Sequence, residues 1–175
     1  MPDVVHPFIE LAATAIEIYL SEDRVIEPPP SLYELFPDAG LPAAVFVCLK
    51  RGGQLRGCVG TTEPARPTRA GEVIANAIGA ATRDPRFPSV MLGEVSQLAI
   101  CVDVLTPYEP VTDRAELDPK RYGILLVAGE RRSVLLPDIE GVCTLEEQLT
   151  TARKKAGIDP DEAANLFRFE VTRYQ

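Results

Sequence analysis

The stretch Gln54-Leu55-Arg56-Gly57-Cys58-Val59-Gly60-Thr61 sets an arginine and a cysteine two residues apart among glycines. Read as a β-strand, its period of two turns Arg56 and Cys58 to one face and Leu55, Gly57 and Val59 to the other. A guanidinium beside a thiol favours the thiolate, and Gly57 and Gly60 leave room for a backbone or a ligand to come close. A plainer reading stands beside it: a cysteine in an apolar strand packs as a small hydrophobe, and strand glycines mark bulges. Composition alone favours the plainer reading.

Upstream, Ala43 to Lys50 is apolar and strand-like and Arg51-Gly52-Gly53 is a turn, so the central stretch reads as the second arm of a β-hairpin. With Lys50 opposite Gln54, Phe46, Cys48, Arg56 and Cys58 share one face and Cys48 is a diagonal neighbour of Cys58. A slip of one residue would separate the two thiols. Downstream, Ala70, Val73, Ile74, Ala77, Ile78 and Ala81 form an apolar stripe at helical spacing, narrow enough for close packing. That helix ends in Arg83-Asp84-Pro85-Arg86-Phe87-Pro88, a rigid loop with Phe87 as its plug.

The flanks complete the pattern. Phe8, Leu11, Ala12, Ala15, Ile18 and Tyr19 predict a helix from Pro7. Glu27-Pro28-Pro29-Pro30 and the residues to Pro42 read as a stiff connection with one short helical turn. Val95 to Leu105 is a strand with a structural Cys101. Tyr122 to Ala128 and Arg132 to Leu136 flank a Gly129-Glu130 turn in a second hairpin. Thr144-Leu145-Glu146-Glu147 is a capping box opening a helix to Gly157, with Arg153, Lys154 and Lys155 at its negative end. Phe167 to Thr172 reads as a closing strand. These elements predict an α+β fold with a largely antiparallel sheet and packed helices, a single domain over 1–175 that can divide into a main and a smaller lobe.

With 175 residues, 46% of them hydrophobic, the chain can bury a core of its own. A net charge of -8 argues against nucleic acid and anionic membrane as partners. No apolar run reaches the roughly 20 residues of a membrane span, and residues 1–7 lack a signal region, so a cytoplasmic location is expected. The cysteines at 48, 58, 101 and 143 have no C-x-x-C spacing and His6 is the single histidine, so no metal site or cofactor is expected and all four cysteines read as free thiols. Acid or base work would fall to a carboxylate, thiol or tyrosine. Residues 50–69 hold Lys50, Arg51, Arg56, Arg66 and Arg69 against Glu63 alone, a basic island suited to a carboxylate or phosphate ligand.

Four motifs, Leu55-Arg56-Gly57-Cys58-Val59-Gly60-Thr61, Arg83-Asp84-Pro85-Arg86-Phe87-Pro88, Leu135-Leu136-Pro137 and Arg153-Lys154-Lys155-Ala156-Gly157, occur in an order that resembles the AMMECR-type domain family, the A component of the AmmeMemoRadiSam system. The resemblance runs from Pro7 to Val171, and its Leu-Arg-Gly-Cys run is the most specific signature. It implies a two-lobed α+β fold and association with a Memo-type protein and a radical-SAM protein, with no established reaction. The chain departs from the family pattern at Tyr122, Asp138 and Cys143.

Two functions follow. One is a small-molecule site with Cys58 as nucleophile or thiolate and Arg56 as its stabiliser, the ligand being held by Arg56, Gly57, Gly60, Thr61, Asp84 and Arg86. The other is a non-catalytic adaptor, suggested by the proline-rich connection and by the lack of a complete nucleophile, base and orienting group.

Overall fold

Gly52 and Gly53 adopt φ of +57° and +79°, and this left-handed pair turns strand β1 (Val45–Arg51) back into β2 (Gln54–Gly60). A computed structural model describes residues 5–175 of the chain. The N-terminal stretch read for a signal region begins in residues 1–4, outside the described residues.

The chain divides into two units, one reaching Val104 and taking in Thr172–Gln175, the other Leu105–Val171. In the first, β1, β2, β3 (Leu98–Leu105) and β8 (Val171–Tyr174) form a sheet ordered β2-β1-β3-β8. Val45, Val47 and Leu49 alternate into a core shared with Val73, Ile74 and Ala77 of helix α3 (Arg69–Thr82) and with Ala12, Ala15 and Ile16 of α1 (Pro7–Glu22). Both helices begin where the sequence places them. Thr68 accepts the Gly71 N–H, and the His6 ring nitrogen accepts the Phe8 N–H ahead of Pro7. The connection holds the short helix α2 (Pro30–Leu35).

In the second unit, β4 (Glu109–Pro110), β7 (Asn165–Phe169), β5 (Gly123–Ala128) and β6 (Arg131–Leu135) form a sheet in that order. Helix α4 (Leu145–Ala156) buries Leu149 and Ala152 against Ile124, Leu126 and Leu135. Its capping box forms as the sequence predicts, and Gly157 closes it at φ +65°. All the strand pairings described, β1 with β2 and β3, β4 with β7, and β5 with β6 and β7, are antiparallel.

Three expectations change. The first hairpin starts with Arg51 opposite Gln54, and a bulge after Lys50↔Leu55 brings Leu49 opposite Gly57 and Cys48 directly opposite Cys58. The strand expected from Val95 begins at Leu98, because Leu92–Gln97 coils into a 3-10 turn. The single closing strand is two, β7 and β8, broken at Glu170, whose N–H and C=O both bond Thr106 instead of a ladder.

Candidate functional site

Strand β2 is an edge strand, so every second residue turns its N–H and C=O away from β1 and needs other partners. At Cys58 the loop after α3 supplies both. Asp84 Oδ2 accepts the Cys58 N–H at 2.8 Å, and an Arg86 N–H donates to the Cys58 carbonyl at 3.5 Å. The Asp84 carboxylate also receives the Arg86 backbone N–H, its Nε–H and a terminal N–H at 3.1, 2.9 and 2.7 Å. Its side chain is 3% exposed. The Arg86 guanidinium, helped by the Cys58 amide, outweighs burial and holds the carboxyl well below the usual carboxylate range.

Arg56 is the extra residue of the bulge. Its guanidinium reaches to the next part of the same loop, donating to Glu94 Oε1 and Oε2 at 3.2 and 3.0 Å and to the carbonyls of Pro88 and Ser89 at 2.8 and 3.3 Å. Arg51 donates to the same Glu94 at 2.9 Å. The bonds from Arg56, then the Met91 N–H, hold the Glu94 carboxyl down at about 2 against its burial. Beside this triad lies a cavity of about 480 Å3, walled by Arg51, Arg56, Glu94, Phe87 and Met91. The basic island is therefore partly neutralised from outside itself, by a glutamate that the sequence count could not pair with it.

The cysteines depart most from expectation. Cys48 and Cys58 are joined in a disulfide, with Cα atoms 4.1 Å apart, while Cys101 and Cys143 are free. The expectation of four free thiols fails because the bulge moves the two residues from diagonal to directly opposed positions. The sulfur of Cys58 is thus engaged by Cys48, and the charge of Arg56 by Glu94. Cys101 donates to Asp103 at 3.6 Å, and burial, then the Asp103 charge, pushes its thiol up to about 11.

The structure gathers Arg56, Cys58, Asp84 and Arg86 along one strand edge and disperses the remaining candidates. Gly57 faces the core, where a Cβ would overlap the Ala80 carbonyl oxygen of α3, so its lack of a side chain serves helix packing. Gly60 lies under the Phe46 ring, which a Cβ would strike. Thr61 donates to Glu72 Oε1 at 2.8 Å. Glu72, 1% exposed, also accepts the N–H groups of Ala65 and Arg66 at 2.9 and 2.8 Å, fixing the chain between β2 and α3. Sequence reading missed Glu94, Glu72 and the pairing role of Cys48. Glu72 lies off the apolar stripe of α3, so the helical periodicity carried no signal for its burial. Among the described residues no group of three or more His, Cys, Asp or Glu could hold a metal ion, and no helix is long and apolar enough to cross a membrane.

A family model described as AMMECR1 matches residues 9–175. A Thermotoga maritima protein is 50% identical over 173 residues, covering 97% of this chain and 98% of that one. A Clostridium acetobutylicum protein is 43% identical over 169 residues, covering 97% of this chain but only 36% of the longer relative. The crystal structure of an uncharacterized protein from Pyrococcus horikoshii superposes with a TM-score of 0.86 at 33% identity, over 95% of this chain and 88% of that one. The α+β fold read from the sequence is the fold of that relative.

Proposed function

The chain belongs to the AMMECR1 family, and from that premise we propose that its working site is the cavity at the β2 edge, taking a small carboxylate- or phosphate-bearing ligand. Arg51 and Arg56 supply the positive charge, and Cys58 stands alongside as the reacting thiol once its disulfide is opened. The observation that carries this reading is the convergence of two guanidiniums on one carboxylate at a cavity wall. The triad keeps a net positive charge, and Arg51, its side chain 46% exposed, has N–H groups beyond its bonds to Glu94 and Gln97. Phe87 and Met91 offer an apolar wall to the rest of the ligand. Asp84 and Glu94 are both held ionised, so neither serves as a proton donor at neutral pH. The protein then works in the cytoplasm with a Memo-type and a radical-SAM protein, a partnership that rests on the family resemblance.

Thermal shift and calorimetry with inorganic phosphate, a phosphomonoester and a dicarboxylate test the ligand. A bound compound at a hundred times its Kd stabilises by about 2.7 kcal/mol. The shift should vanish in Arg51→Ala and Arg56→Ala. Equal shifts in wild type and both variants would remove the site.

A second reading, the non-catalytic adaptor, is favoured by Arg56, which commits four of its five guanidinium N–H groups inside the protein. Under it, no compound shifts the melting curve. The purified Memo-type protein would still bind, and would bind Cys58→Ser equally well.

A further inference from the structure

Three of the four cysteines stand in one row across the sheet. Cys58 of β2 is opposite Cys48 of β1, and Cys48 is opposite Cys101 of β3. The middle sulfur therefore has a cysteine on each side. All three residues are half-buried on the face of the sheet turned away from α1 and α3.

The two pairings differ in kind. The N–H and C=O of Cys58 point to Asp84 and Arg86, away from β1, so Cys48/Cys58 is a non-hydrogen-bonded pair, in which opposed side chains lie closest. Antiparallel geometry then turns the backbone groups of Cys48 toward β3. This makes Cys48/Cys101 a hydrogen-bonded pair with Cα atoms about 5.5 Å apart. That spacing falls within the range a disulfide bridges. Stapling a hairpin takes two cysteines, and nothing in that role requires a third in the same row.

We propose that Cys101 exchanges with Cys58 for Cys48, giving the site two bonded forms. In one, Cys48–Cys58 is closed and Cys101 is a thiol; in the other, Cys48–Cys101 is closed and Cys58 is a thiol. The Cys101 sulfur, deprotonated, attacks Cys48 Sγ. The Cys48–Cys101 bond forms as the Cys48–Cys58 bond breaks, and the electron pair leaves on the Cys58 sulfur, which takes up a proton. One disulfide exists before and after, so neither oxidant nor reductant is consumed. Asp103, which accepts from the Cys101 thiol and is held by Arg173 at 2.7 and 3.0 Å, and Lys50 are the charged groups around the attacking sulfur. The proposal rests on the reading of Cys58 as a reacting thiol and supplies the way it is unmasked.

Peptide mapping by mass spectrometry tests it on the full chain. Cys58→Ser treated with oxidised glutathione should form a Cys48–Cys101 link, and Cys101→Ser should not form it. Wild type held with iodoacetamide at pH 9 should accumulate alkylated Cys58 together with the Cys48–Cys101 link, the exposed Cys143 marking total alkylation. Should Cys58→Ser fail to fold, the wild-type arm decides. Glutathione on Cys48 with Cys101 untouched, or label on Cys101 with Cys48–Cys58 intact, would overturn the exchange. Reduced wild type separates the two claims. If its Cys58 alkylates while no Cys48–Cys101 link ever forms, the exchange alone falls; if the reduced, folded protein protects Cys58, the reacting-thiol reading falls with it.

Discussion

The carboxylate of Asp84 takes the amide of Cys58 at 2.8 Å, in the place where the carbonyl of a further strand would stand. Two residues on, Arg86 supplies the matching donor to the Cys58 carbonyl. Two side chains of one turn thus imitate a strand for the length of one residue, and the edge of β2 is covered at that point.

Arg86→Ala should cost about 1 to 3 kcal/mol, because it leaves a nearly buried carboxylate with backbone amides as its remaining partners. The half-exposure of Arg86, 55% at its side chain, keeps the loss from being larger. Urea denaturation measures the cost. Faster hydrogen exchange at the Cys58 amide would place it at this edge, and unchanged exchange would mean the turn does not depend on the pair.

Acid should loosen the loop that Glu94 anchors. Its carboxyl is lowered from 4.5 to about 2 on folding, so the stability it lends is fully present above the ordinary carboxylate range and is lost as pH falls from about 5 toward 2. Glu94→Gln should flatten that part of the stability curve, as read by denaturation at a series of pH values. A curve parallel to wild type would show that Glu94 is not among the groups responsible.

Gly57→Ala should destabilise by about 1 to 3 kcal/mol or more, since its methyl group meets a helix carbonyl that can move only with α3. Gly93→Ala, where nothing lies within reach of a Cβ, is the matched control and should be near neutral. Thermal or urea denaturation of both variants checks the contrast.

In the reduced protein, where no exchange competes, the thiol of Cys101, pushed up to about 11, should alkylate slowly until pH approaches 10. Asp103→Asn removes the second cause of the shift and should bring Cys101 reactivity to lower pH. A rate unchanged by that substitution would assign the shift to burial alone.

Local pattern carried much of this into the sequence. The Gly52-Gly53 turn, the small-residue stripe from Ala70 to Ala81 and the Thr144 to Glu147 box each need only neighbours a few residues away, and each stands where it was read. The strand glycines were a signal for a bulge, but its place at Arg56 could not be read, because that depends on which backbone groups of β1 and β2 meet, and a period of two is blind to one inserted residue. The same shift moved Cys48 from diagonal to opposed and turned an expected thiol into half of a disulfide. Glu94 was hidden for another reason. It reaches Arg51 and Arg56 only after the loop from Arg83 has folded back along β2, a contact between residues far apart in sequence.

The first sheet is completed by the end of the chain. β3 ends at Leu105 and its neighbour β8 begins at Val171, so during synthesis the whole of β4 to β7 emerges before the fourth strand exists. At about 5 to 20 residues per second that interval lasts several seconds. Throughout it β3 shows an open edge to the nascent chain's surroundings, and Asp103, 2% exposed in the finished protein, waits for the guanidinium of Arg173. The half of the molecule translated first is therefore the half finished last, and a chain ending before Arg173 would lack most of the strand that closes its first sheet.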